Sequence, residues 1–167
     1  MVKSVIWTVV FGLIAAILQS TLFSHLTLYR AVPDLVLGIV VYSAYVNGVM
    51  TGQLSGFFNG LVMDFLSAAP FGLNALVRML VGALAGLMKG TFYLDGFLLP
   101  MILCAAATLA KALVLFILSL IFSGAVLAYP LAEPTLWAEL ALNTFTAPFL
   151  FAFLKRFKPL LVKRGEI

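Results

Sequence analysis

The chain is 167 residues long, 64% hydrophobic and 10% charged, with a net charge of +4 and a mean hydropathy of +1.19. A soluble domain carries roughly 25% charged residues, so this inventory cannot coat a water-facing surface and excludes a soluble globular protein. The length allows a single domain, 1–167, with no room between the apolar segments for a soluble module of even about 40 residues.

The apolar segments are read against the roughly 20 residues that a helix needs to cross the hydrocarbon core. The first helix runs from Ser4 to about Phe23 and ends at Ser24-His25. Lys3 followed by Val5–Leu18 has the outline of a signal peptide. No small-x-small cleavage site follows, so an uncleaved first crossing is expected. A linker with Arg30, Pro33 and Asp34 leads to a short second helix, about Pro33 to Asn47, with the proline in its first turn. The third is expected over Gly48–Leu66, stopping at Ser67-Ala68-Ala69-Pro70, and the fourth over Phe71–Met88, ended by Lys89-Gly90. A long fifth covers Gly96–Phe122, and a loop with Pro130, Glu133 and Pro134 leads to the sixth, Thr135–Leu154. The expected fold class is therefore all-α, a polytopic membrane protein of about six transmembrane helices. Residues 33–66 must hold two helices with almost no loop, which leaves a five-crossing alternative open.

Five of the ten basic residues (Lys155, Arg156, Lys158, Lys163, Arg164) lie in the last thirteen positions. A short basic tail, about 155–167, directly after an apolar helix marks the cytoplasmic side and offers a place for anionic membrane lipid. No nucleic-acid partner is inferred. With six crossings Lys3, Lys89 and the tail share that side, and Arg30 faces outward. The expected location is thus a bacterial inner membrane, multi-pass, with both termini cytoplasmic.

One spacing stands out. Gly48, Gly52, Gly56 and Gly60 recur every fourth residue along the third helix, and Asp64 continues the series; on the fourth, Arg78 is followed at the same spacing by Gly82, Gly86 and Gly90. Residues at i and i+4 share one ridge, so each row is a small-residue groove topped by a charge. In lipid such grooves hold helices together by close approach, and a tight antiparallel hairpin is expected. Asp64 and Arg78 differ in depth by only about 5 Å and lean toward each other, so a direct pair is expected, with a site facing a cavity or partner as the alternative. Lys111 and Glu139 differ in depth by about 9 Å and lean apart. No direct pair is expected there, and Lys111 is read as snorkelling, uncharged, or facing a polar cavity.

The sole cysteine, Cys104, is read as a buried inert thiol, and Trp7, Tyr129 and Trp137 as members of interfacial aromatic belts. One histidine, in a loop, makes no metal site. No phosphate loop, nucleophile elbow or His-Glu-x-x-His motif is present. No catalytic residues, cofactor or metal are expected, and the chain is read as not an enzyme.

The stretch from Pro33 to Gly90 resembles the MreD family of rod shape-determining proteins. The resemblance rests on Pro33-Asp34-Leu35 opening the second helix and on the glycine-rich third helix ending in Asp64. Pro70-Phe71-Gly72-Leu73 opens the fourth helix, and Gly82 to Gly86 close it. It implies a non-catalytic scaffold subunit of the bacterial cell-wall elongation complex. Its implied partners are an MreC-like bitopic protein, a RodA-type glycosyltransferase with its penicillin-binding transpeptidase, and MreB-like filaments. The implied fold is that of the substrate-binding subunits of energy-coupling-factor transporters. Arg78 and Lys111 match no feature of the family pattern, so no role is carried to them. The rival function is a small-molecule (vitamin) transporter subunit, which would need a polar cavity lined by groups such as Arg78, Lys111, Glu139 and Asn143.

Overall fold

A computed structural model describes residues 1–21, 31–90, 96–122, 126 and 133–162. Expectations resting on His25, Arg30, Tyr129, Pro130, Lys163 and Arg164 fall outside the described residues. Within them the chain forms only helices: α1 (Val2–Thr21), α2 (Leu35–Asn47), α3 (Val49–Leu66), α4 (Leu73–Leu87), α5 (Leu98–Ile121), α6 (Pro134–Arg156) and a single turn, α7 (Lys158–Leu161). Three of them, α1, α5 and α6, are long and apolar enough to cross a membrane. The chain is a membrane protein.

α2 is the centre. Eleven of its thirteen residues are buried, as expected of a helix that is apolar all round. At about 1.5 Å per residue it spans about 20 Å, well short of a bilayer's roughly 30 Å core. Its ends are covered by protein instead. Near its start the backbone N–H of Asp34 donates to Asn143 Oδ1 in α6 at 2.6 Å, and at its end Asn47 Nδ2 donates to the Leu161 carbonyl at 2.9 Å. α2 and α3 are separated by one residue. Gly48, at φ 93°, makes the corner, a conformation that favours glycine. The expected pair of helices with almost no loop is thus achieved by a single positive-φ position.

The core is largely apolar but also holds the polar side chains, and the outer surface is apolar. Ser4, Thr8, Ser43, Thr51, Ser55 and Asn59 are buried among α1, α2 and α3, while Phe65, Leu113, Leu120, Phe145 and Phe149 are exposed. Thr8 Oγ1 and Ser43 Oγ lie 2.8 Å apart, and Asn59 Nδ2 donates to the Ser55 carbonyl at 2.8 Å. With lipid as the solvent, hydrogen bonding turns inward and large side chains face the acyl chains.

The described charges are segregated. Lys3, Lys89, Lys155, Arg156 and Lys158 gather where α1 begins and α4 and α6 end, with Lys3 Nζ 3.3 Å from the Pro159 carbonyl. Asp34, Asp64, Glu133 and Glu139 lie toward the opposite end, where α2, α4 and α6 begin. Arg78 and Lys111 are the two cations drawn into the acidic half.

Candidate functional site

The two glycine rows meet backbone to backbone. A Cβ on Gly52 would fall on the Gly82 carbonyl and one on Gly82 on the Gly52 carbonyl; one on Gly56 would fall on the Arg78 carbonyl, and one on Gly60 on Asn74 and Ala75. A Cβ on Gly86 would lie 2.6 Å from Val49 Cα. α3 and α4 therefore run antiparallel with their backbones in contact, leaving no room for a side chain at these positions. Gly48 and Gly90 do not share this role. Gly48 is the corner before α3, where a Cβ would meet only Lys89 Cδ at 3.3 Å, and Gly90, at φ 75°, has open space around it.

The expected Asp64–Arg78 ion pair does not form. Asp64 instead caps α4: its carboxylate accepts the backbone N–H groups of Gly72 (3.0 Å), Asn74 (2.9 Å) and Ala75 (3.2 Å). The residue at the N-cap position is Gly72, at φ 91° and without a side-chain cap of its own, so α3 supplies the anion that the positive end of α4 lacks. A carboxylate holding three amides is already saturated. Its link to Arg78 is indirect, through Asn74, whose Oδ1 accepts from Arg78 Nη1 at 3.0 Å.

The true partner of Arg78 is Asp34. Arg78 Nη2 donates to both carboxylate oxygens of Asp34 at 2.9 Å, and both side chains are almost fully buried. Lys111 Nζ reaches the same Asp34 carboxylate at 3.0 Å and Glu139 Oε1 at 2.5 Å. The absence of a Lys111–Glu139 pair expected from their depths is thus corrected. The lean of a side chain fixes where it starts, but the four-carbon stem of lysine and the longer carboxylate arm of Glu139 close the gap. Among the described residues, two cations and two anions make a network joining α2, α4, α5 and α6. Pairing of this kind is what makes intramembrane charges tolerable.

Neutral groups complete it. Asp34 also caps its own helix, accepting the Leu37 N–H at 3.0 Å. Asn143 Nδ2 donates to Thr108 Oγ1 at 2.9 Å, and that hydroxyl donates to the Cys104 carbonyl at 2.8 Å. Cys104 itself is a buried free thiol. The cavity beside Asp34, Thr108 and Asn143 measures only about 10 Å³, which is space for one water and none for a vitamin-sized molecule.

Sequence reasoning missed Asp34 as the hub by placing it in a linker. A signal was available: a second helix of about 15 residues cannot span the core, so its capping residue has to lie below the membrane surface.

Two larger depressions are found elsewhere. One, about 210 Å³, lies between α4 and α5 and is lined by Leu84, Ala85, Met88, Leu103, Ala106 and Ala110 among others. The second, about 120 Å³, lies between the start of α5 and the end of α6. Among the described residues no group of His, Cys, Asp and Glu could hold a metal ion.

Comparison with the curated proteins and with the solved structures finds no match. The family model for the rod shape-determining protein MreD, in contrast, matches residues 1–157. That match spans all of α1–α6 and with them the whole charge network, and on it the chain belongs to the MreD family of rod shape-determining proteins.

Proposed function

We propose that the chain is a non-catalytic, multi-pass scaffold of the cell-wall elongation complex, and that it holds the single transmembrane helix of an MreC-like partner in the groove between α4 and α5. The family belongs to the MreBCD shape-determining system, which gives the reading its biological frame. The observation that carries it is the unfilled groove of about 210 Å³ walled by alanines on α5. The glycine rows of α3 and α4 close on each other, so a partner helix would meet this other face. Small residues that leave a groove open let a further helix approach, and packing drives association in lipid.

The orientation follows from charge. The basic end, Lys3, Lys89, Lys155, Arg156 and Lys158, belongs on the cytoplasmic side by the positive-inside rule. In this reading both termini lie on the inside of a bacterial inner membrane and the chain crosses six times, the short α2 doing so within the protein, with its ends covered by other helices. The charge network then lies in the outer half of the bilayer as an internal clasp. RodA-type glycosyltransferase, its transpeptidase and MreB-like filaments are further neighbours in this reading.

Pull-down of the chain in mild detergent should recover an MreC-like partner, and Ala106→Phe, at an exposed position in the groove, should abolish recovery without loss of fold. Depletion in a rod-shaped host should make the cells round while solute uptake stays normal. Cells that keep their shape but come to depend on an external vitamin would overturn the reading.

A further inference from the structure

The α4–α5 groove and the charge network meet at one end. Val81, the first groove residue on α4, lies three positions after Arg78, and Ala110, the last on α5, directly precedes Lys111. Each wall of the groove therefore carries one cation at this end. Both cations reach the same acceptor, the Asp34 carboxylate of α2, Arg78 at 2.9 Å and Lys111 at 3.0 Å. From there the groove runs about 10 Å along α4, two turns, to Met88. Its floor, Val81, Ala85, Leu103 and Ala107, is buried, Leu84 and Ala106 stand exposed at its rim, and the whole lining is apolar.

We infer that Asp34 sets the spacing of α4 and α5, and with it the width of the groove, because Arg78 ties one wall to its carboxylate and Lys111 ties the other. This rests on the reading that a partner helix seats in the groove, and adds that the partner's fit depends on a charge cluster outside its own contact surface. Three observations support it. α5 packs chiefly against α6 and much less against α4, so direct packing fixes the α4–α5 distance poorly. The apolar walls have not closed on each other, since about 210 Å³ stays between them, and in lipid no water-driven collapse draws them together. The carboxylate, in contrast, is a fixed post. Asp34 accepts the Leu37 N–H at 3.0 Å, and its own backbone N–H donates to Asn143 Oδ1 at 2.6 Å. Asp34 and Lys111 are thus positioning residues: losing the Lys111 tie lets α5 move away from α4 and widens the groove.

The test has two readouts on the full chain. Groove spacing is read in detergent, without a partner, as the rate of copper-catalysed disulfide formation between Leu84→Cys and Ala106→Cys in a Cys104→Ala background. Partner fit is read as recovery of the MreC-like protein by the same variants without the cysteine pair. Lys111→Met combined with Glu139→Gln removes one cation and one anion together and leaves the Arg78–Asp34 pair standing. It should slow the disulfide about threefold, the worth of an average polar contact in lipid, and lower recovery to a similar degree. Lys111→Arg, which keeps the cation, and Glu139→Gln alone, which keeps the Lys111–Asp34 tie, should leave both readouts unchanged. Asp64→Ala removes the cap of α4 and none of the network's ion pairs, so it should lower the melting temperature without slowing the disulfide. Melting verifies that each variant is folded, and Lys111→Gln with Glu139→Gln replaces the methionine variant if that one does not fold. An unchanged disulfide rate in the double variant, or equal slowing in Asp64→Ala or in Glu139→Gln alone, would overturn the spacing role whatever the partner does. A slower disulfide with full recovery would instead overturn the seating of the partner in this groove.

Discussion

The two faces of α4 were built from similar small residues and ended differently. Toward α3, Gly82 and Gly86 meet Gly52 and Val49 so closely that backbone atoms stand where side chains would. Toward α5, Ala85 faces Ala106 and Ala110 with leucine and methionine at the margins, and about 210 Å³ stays unfilled. Glycine opposite glycine lets two backbones touch. An alanine row bordered by longer side chains keeps them apart, and in lipid no water-driven collapse closes the remaining gap. One face of the same helix is thus a finished internal joint and the other an unfinished one.

The charge network ties α4 to α2, α5 and α6 at once, so breaking it should have the largest effect. Asp34→Ala leaves Arg78 buried without its carboxylate counter-ion and takes from Lys111 one of its two described carboxylate partners. Removing one partner of a buried pair costs about 3–5 kcal/mol, to be read as lost unfolding free energy in detergent. A double-mutant cycle sharpens the point: Asp34 and Arg78 should couple by about 1 kcal/mol or more, whereas Asp64 and Arg78, linked only through Asn74, should be additive to within about 0.5 kcal/mol.

Next comes the contrast between the joints. Gly52→Leu drives a side chain into the Gly82 backbone and should cost at least the 1–3 kcal/mol typical of overpacking, about the upper figure here because backbone cannot move aside. Ala106→Leu, on the open face, should change stability by no more than about 0.5 kcal/mol. Equal losses at the two sites would mean that the α4–α5 groove is filled in the native bundle.

A smaller effect belongs to Asp64. As the cap of α4 rather than the partner of Arg78, it should cost about 0.5–2 kcal/mol when changed to alanine, and Asp64→Asn, which keeps one acceptor oxygen, should recover part of that. A loss from Asp64→Ala as large as that from Asp34→Ala would restore a direct ionic role.

Much of this architecture is legible in the residues. Apolar run lengths place the helices α1–α6 to within two residues at every end, and the four-residue glycine period marks the α3–α4 contact at Gly52, Gly56, Gly60, Gly82 and Gly86. The charge pairing is not legible in the same way. Period and lean describe one helix at a time, and by those rules Asp64 and Arg78 converge while Lys111 and Glu139 diverge. Which charges meet is decided by the burial of α2, which carries Asp34 below the bundle's end and makes it the acceptor for two other helices. Backbone amides also compete for carboxylates, and Gly72, unable to cap α4 with a side chain, takes Asp64 out of the ionic network. The grooves are illegible for another reason: a void is what remains when neighbours fail to interlock, and no single helix records it.

The central claim, that one face of α4 is closed and the other takes a partner helix, is tested most directly by cysteine cross-linking in intact membranes. In a Cys104→Ala background, cysteines would be placed singly at Ala106, in the α4–α5 groove, and at Phe57, on the exposed outer face of α3, against a scan of cysteines along the transmembrane helix of the MreC-like partner. The account predicts a helical-period pattern of cross-links from position 106 and none from position 57. Cross-links from position 57 with none from position 106 would contradict it.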